Sequence, residues 1–344
     1  MASALHELFL EEFRLCEIGR GQTVAVLSEG DQLRDYAETS LAAASALGAE
    51  VIDVNLNVEH AMDASERIAN VGKNPLTEHP QSLQQCCDAD IVIDHMLLLF
   101  SHEQIAMQKA GARVLLVVEP EEILQRLFPN PMLRQRVEAG ERRLANAQRL
   151  HFTNAAGTDV TYELGRKPIL TEYGYTATAG RWDHWPSGFV FIGGDDDGVD
   201  GKIVVASGDS LLPQNIYVRE PIVYTIEKGW IQDIRGGLEA ELVNAYMSSF
   251  DDDRGYGMSH VGWGMNPQAK WHAMSPGLFP GGMGMEARSY LGNVMFSTGP
   301  NNELGGSNDT ACHLDIPMRG CSLFLDDEAI ILDGKMAVQG LQFP

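Results

Sequence analysis

The sequence predicts an α/β N-terminal domain with a parallel sheet, followed by a β-rich (α+β) C-terminal domain. Three observations predict it. Over residues 1–150, short apolar segments alternate with amphipathic ones, the pattern of strands buried on both faces between helices. Over residues 151–344, short strands are separated by glycine-rich turns such as "DDGVDG", "EKGW" and "LDGK". A chain of 344 residues with 44% hydrophobic content is also long enough to build two cores.

The elements follow in order. "TVAVLSE" (23–29) reads as a buried strand and "DQLRDYAETSLAAASALGA" (31–49) as a helix capped by Asp31 and ending near Gly48. "EVIDVNL" reads as a strand, "SLQQCCDAD" as part of a helix, "IVIDHML" as a strand and "SHEQIAMQKAGA" as a helix. "RVLLVVE" is another strand, and one long helical stretch is expected from Pro120 to about Gln148. Such a half commonly binds nucleotides. Here the loop after the first strand, "EGDQLRD", contains neither G-x-G-x-x-G nor G-x-x-x-x-G-K-[ST], so a scaffold role is expected. In the second half, "LHFTNAAGTDVTYEL", "GFVFIGG", "GKIVVASGD", "PIVYTIEKGWIQDIRGG", "GNVMFSTGPN", "CHLDIPM" and "CSLFLDDEAIILDGK" read as strands of a curled sheet or partial barrel. One helix, residues 239–250, interrupts them.

Composition excludes several classes of partner. A formal charge of −23 leaves no basic surface for a phosphate backbone or an anionic membrane. No run approaches the roughly 20 apolar residues needed to span a bilayer. "MASALHELFLEEFRLCEIG" is acidic and amphipathic, unlike a secretory signal. Five cysteines (Cys16, Cys86, Cys87, Cys312, Cys321) without metal-finger spacing read as reduced thiols of a cytoplasmic enzyme.

Chemistry concentrates in four stretches. In "TACHLDIPM", His313 and Asp315 stand two apart on a strand and so share one face; they read either as a mutually satisfied buried pair or as two metal ligands. In "GMSHVGWGMNPQAKW", His260 lies among glycines, on a surface loop or on an ordered loop or strand end lining a pocket. If the three converge, two histidines and one carboxylate leave three octahedral positions open, the set typical of non-haem Fe(II) oxygenases. "TEYGYTATAGRWDHWPSGF" holds Glu172, Arg181, Asp183 and His184 among Tyr173, Tyr175, Trp182 and Trp185, as a pocket wall for a flat polar ring or as a tryptophan-rich core corner. "FSTGPNNELGG" is a turn carrying Ser297, Thr298, Asn301 and Asn302 just before the His-x-Asp strand. No G-x-S-x-G or H-E-x-x-H occurs, and Cys312 and His313, adjacent on a strand, point to opposite faces.

"TEYGY…GRWDHWPSGF", "SHVGWG", "FSTGPN", "CHLDIP", "VVEP" and "EKGWIQDIRGGLEAE" together resemble the 2,5-dihydroxypyridine 5,6-dioxygenase family of bacterial nicotinate breakdown, along nearly the whole chain. The resemblance implies a fold shared with enzymes of the aminopeptidase T type. It implies that His260, His313 and Asp315 bind one Fe(2+), and that both atoms of O2 enter a dihydroxypyridine opened between C5 and C6 to N-formylmaleamate. Glu172, His184 and Ser297 become candidates for hydrogen-bonding the ring substituents, with Trp185 and Phe100 against the ring. Phe100 stands where the family is expected to carry a proton-moving histidine. His95 and His102 are the compensating candidates, with His184 or water as further routes. A homo-oligomer, dimer-based and as large as a hexamer, is expected. The rival enzyme class is a two-metal aminopeptidase on the same fold, and the non-enzymatic rival is a small-aromatic binding protein.

Overall fold

A computed structural model describes residues 4–57, 74–99, 101–274 and 282–342. The chain divides into two compact units. The first comprises the chain up to Pro129, Tyr173–Ser187 and a short return ending at Met283. Its sheet is parallel throughout, in the order β2-β1-β3-β4-β8, with β1 Thr23–Glu29, β2 Glu50–Leu56, β3 Ile91–Asp94, β4 Arg113–Val117 and β8 Trp182–Trp185. Five helices of this unit are described: α1 Ala4–Leu15, α2 Arg34–Ala46, α3 Pro80–Asp88, α4 His102–Ala110 and α5 Glu121–Arg126. On β1, Ala25 and Leu27 join a core with Cys86 of α3 and Met107 of α4, while the alternate residues Val24 and Val26 are equally buried. Both faces are therefore covered, which is why the strand sequences are apolar without alternation.

Three expectations change. Asp31 does not cap α2: Leu33 precedes the helix in a left-handed conformation, and no side chain caps it. The long helical stretch after Pro120 breaks at "LFPNP", because a proline disfavours helical backbone before it and lacks an N–H. A new helix, α6 Pro131–Leu144, starts there, with Asn130 accepting from the Leu133 N–H at 3.0 Å. The "WDHW" segment forms the fifth parallel strand, and Trp185 is fully buried with its ring edge-on to Phe9 and Phe128.

The second unit comprises Asn130–Glu172, Gly188–Phe279 and Gly284–Pro344. These units differ from a single cut at residue 150, since α6 packs on strands of the second unit and residues 173–187 complete the first sheet. Its strands do not join in one barrel. Eight form an antiparallel sheet, β14-β13-β10-β6-β5-β18-β19-β20. They are β5 Arg149–Asn154, β6 Asp159–Glu163, β10 Val199–Val205, β13 Ile222–Glu227, β14 Trp230–Arg235, β18 Cys321–Leu325, β19 Glu328–Leu332 and β20 Lys335–Met336. Five form a second antiparallel sheet, β17-β16-β15-β9-β7, from β7 Ile169–Glu172, β9 Phe189–Gly193, β15 Met258–Gly264, β16 Val294–Thr298 and β17 Leu314–Met318. A short ribbon pairs β11 Ser210–Leu211 with β12 Ile216–Tyr217. The helices α7 Leu238–Ser248 and α8 Met285–Arg288 complete the unit.

The five-stranded sheet carries the site, and two glycines let it pack closely. A Cβ on Gly262 of β15 would lie 2.1 Å from the Val190 carbonyl oxygen. One on Gly140 of α6 would meet the Met265 Cε at 2.7 Å and Val190 at 3.0 Å, so the helix lies tight against β9 and the end of β15. The five cysteines are unbridged, Cys86 and Cys87 included. No described helix is long and apolar enough to cross a membrane.

Candidate metal centre

His260, His313 and Asp315 come together, buried, with one potential ligand atom from each within 4.8 Å of the others. Asp315 lies on β17, and His313 immediately precedes that strand. His260 lies in the middle of β15, where the sequence had suggested a loop or strand end. β16 runs between these strands and holds both histidines. The β15–β16 ladder pairs Met258 with Thr298 and Val261 with Phe296, so Ser259 and His260 together face the single residue Ser297. This is a β-bulge, a device that re-aims a side chain at the expense of ladder hydrogen bonds. Ser297 makes up the loss: its Oγ accepts from the His260 backbone N–H at 2.9 Å, and its O–H donates to the His260 carbonyl at 3.4 Å. One residue on, the Thr298 carbonyl accepts from Nδ1 of His313 at 3.0 Å.

That last bond decides the chemistry of His313. A carbonyl can only accept, so Nδ1 carries a proton and the ring turns Nε2 toward the carboxylate. Nε2 lies 3.3 Å from Asp315 Oδ1, and Nε2 of His260 lies 3.5 Å from the same oxygen. Two imidazole nitrogens and a carboxylate oxygen gathered this closely can share a proton or a metal ion. Donors about 2.1 Å from an ion and at right angles to one another are about 3 Å apart, close to these separations. Asp315 Oδ1 and His260 Nδ1 are also buried without a hydrogen-bond partner among the described residues. The site therefore fits a divalent metal ion.

Charge reinforces this. Burial pushes the His260 imidazole down to about 3, against the pull of Asp315, so the ring is neutral and ready to coordinate. Burial alone would raise the Asp315 carboxyl, yet His313, Arg288 and His260 hold it far below the ordinary carboxylate range. Asp315 is held on both sides. Its backbone exchanges hydrogen bonds with Leu212, at 3.1 Å through N–H and 3.0 Å through the carbonyl, and Arg288 Nε donates to Oδ2 at 2.7 Å. On the other flank, the Phe191 ring lies against His260 with centroids 4.7 Å apart, itself stacked on Phe189 at 4.6 Å.

The remaining expected residues are placed as follows. Glu172 ends β7, the edge strand of the same sheet, buried and opposite Phe189 in register. His184 is buried on β8 of the first unit, its backbone N–H donating to Asp183 at 2.9 Å. His95, also in the first unit, spends both ring nitrogens internally, Nδ1 on the Val117 carbonyl at 2.8 Å and Nε2 on Ser40 Oγ at 3.1 Å. His102 is exposed at the start of α4, and Phe100 lies outside the described residues. The sequence reading missed Arg288, Thr298 as a carbonyl partner, and Phe191. Only Thr298 had a local signal, being next to Ser297 in "FSTGPN".

Fold and triad together describe a protein with a candidate metal centre, two histidines and one carboxylate gathered on an antiparallel sheet. A family model described as 2,5-dihydroxypyridine 5,6-dioxygenase matches residues 4–338. The 2,5-dihydroxypyridine 5,6-dioxygenase of Pseudomonas putida strain KT2440 is 43% identical over 335 residues, covering 96% of this chain and 95% of that one. The solved structure of 2,5-dihydroxypyridine dioxygenase from Pseudomonas putida KT2440 superposes with a TM-score of 0.93 at 41% identity, over 99% of this chain and 100% of that one. The chain belongs to the 2,5-dihydroxypyridine 5,6-dioxygenase family. It is an oxidoreductase of the ring-cleaving dioxygenase class. AmpT from Thermus thermophilus matches with a TM-score of 0.64 at 15% identity, over 97% of this chain and 99% of that one. At that identity the likeness shows the fold alone, so the aminopeptidase alternative is the weaker one.

Proposed function

We propose that this enzyme binds one Fe(II) through His260, His313 and Asp315 and opens 2,5-dihydroxypyridine, or a close hydroxylated N-heteroaromatic, between C5 and C6. Both atoms of O2 are retained: C5H5NO2 and O2 together have the composition of N-formylmaleamic acid, C5H5NO4. The observation that carries the reading is the convergence of two imidazoles on Asp315 Oδ1 at 3.3 and 3.5 Å in a buried site. When bound, the iron supplies open coordination positions and the electron exchange that lets dioxygen react with a closed-shell ring.

The rest belongs to the protein's own side chains. His313 is fixed in one tautomer by Thr298, and His260 is aimed by the bulge that Ser297 clamps. Phe189 and Phe191 shield His260 from water on one flank. Glu172 is proposed to accept a hydrogen bond from a ring substituent. Of the histidines expected to handle protons, His95 has both nitrogens engaged, so the role is proposed for His184 or His102. Unbridged thiols support a cytoplasmic setting, and a homo-oligomer is the general expectation for a soluble enzyme. The test is anaerobic loading with Fe(II), followed by oxygen-electrode measurement with 2,5-dihydroxypyridine. Oxygen uptake matching ring consumption is expected; none at full iron loading would sink the substrate assignment.

A further inference from the structure

Asp315 has two carboxylate oxygens, and the structure gives them different neighbours. Oδ1 faces Nε2 of both histidines, whereas Oδ2 accepts from Arg288 Nε at 2.7 Å. This arginine is no loosely held surface cation. Its side chain is 15% exposed, and its backbone sits in a braced turn: the Asn293 side-chain amide donates to the Arg288 carbonyl at 3.0 Å and also to that of Ala287. The Ser289 carbonyl, one residue on, accepts from the Asn266 N–H at 2.9 Å. The backbone that carries the carboxylate is likewise anchored by its exchange with Leu212. Both side chains thus spring from anchored backbone, and a charge-assisted hydrogen bond of this length is strong.

A carboxylate binds a metal through one oxygen or through both. With Oδ2 committed to a guanidinium, only Oδ1 is free to coordinate. An octahedral ion held by three single-atom protein ligands keeps three positions open; a two-oxygen aspartate would leave two. We propose that Arg288 is a positioning residue that holds Asp315 to single-oxygen ligation and so keeps the third position open for substrate and dioxygen. This rests on the reading that a divalent ion occupies the triad.

The test uses Mn(II) as the probe on the full chain, with bound waters counted from the broadening of its EPR lines in 17O-enriched water. Wild type and Arg288→Lys, which keeps a cationic donor, are expected to show three waters and Arg288→Leu two. The Mn(II) dissociation constant of Arg288→Leu should be no weaker than that of wild type, because a neighbouring cation has gone. Oxygen uptake by its iron-loaded form should fall roughly 10–100-fold. Arg288→Met, which preserves the packing of the stem, takes its place if the leucine variant does not fold. Three waters in the folded Leu or Met variant overturn the inference, and so does loss of Mn(II) from it, which marks a merely structural role. No stoichiometric Mn(II) in wild type, or undiminished binding by His313→Ala, overturns the metal reading and this inference together. Normal loading with an unchanged water count overturns this inference alone.

Discussion

His95 and His260 are both buried histidines whose basicity is depressed by burial, to about 4 and about 3, yet they do different work. His95, in the parallel-sheet unit, gives one nitrogen to the Val117 carbonyl and the other to Ser40. His260, in the antiparallel unit, turns Nε2 toward a carboxylate it shares with a second imidazole, and Nδ1 has no hydrogen-bond partner among the described residues. Burial and a lowered pKa are common to the two and do not separate a ligand from a core polar group. What separates them is whether the nitrogens are already spent.

The strongest way to break this contrast is to delete a ligand. Asp315→Ala or His313→Ala should weaken Fe(II) binding by more than about 100-fold, beyond what losing an outer partner costs, in anaerobic calorimetric titration. Metal affinity within a few-fold of wild type in either variant would remove the distinction. The mirror experiment is His95→Ala. It should cost about 1–3 kcal/mol of stability in urea unfolding, through the unsatisfied Val117 carbonyl and Ser40 hydroxyl, and leave metal affinity unchanged.

Acid sharpens the comparison further. The folded protein keeps His95 neutral down to about pH 4, whereas the unfolded chain protonates it near pH 6.5. Between those values the unfolded state binds the extra proton, so stability falls as pH drops, by up to about 1.4 kcal/mol per pH unit for this group. In His95→Gln the decline between pH 6.5 and 4 should be shallower by that slope in apo-protein urea midpoints. An unchanged slope would mean that His95 is not kept neutral by the fold. His260 contributes in the same direction, so part of the slope should persist.

The smallest expected effect is that of Ser297→Ala. Loss of its bonds to the His260 backbone should cost about 0.5–1.5 kcal/mol and weaken metal binding roughly tenfold. A raised KM with unaltered metal affinity would instead identify a substrate-binding hydroxyl.

Much of this was legible in the sequence. The first four parallel strands could be read because burial on both faces leaves continuous Val/Ile/Leu runs, which need no knowledge of the partner strand. β8 could not, since "WDHW" gains its strand identity by pairing with β4, far earlier in the chain. The Asp31 cap failed because the backbone enters α2 through a left-handed Leu33, a conformation no propensity would assign to leucine. His-x-Asp pointed to the site because period-two geometry alone sets both side chains on one face, and His260 followed from its glycine context. Arg288 carried no signal: "MEARSY" resembles any short polar helix, and only tertiary packing sets its guanidinium on Asp315.

The pairing of β5 with β18 has a consequence for how the molecule is made. β5 can form a hairpin with β6 as soon as both are synthesised, but its other edge is completed by Cys321–Leu325. On the ribosome the nascent eight-stranded sheet must therefore carry an open edge while more than a hundred and fifty further residues are added, the kind of surface that invites pairing with another chain. The candidate ligands obey the same timetable. His260 emerges well before His313 and Asp315, so the three cannot come together until β17 is out. A chain cut short before β17 therefore has neither a closed sheet nor the complete triad.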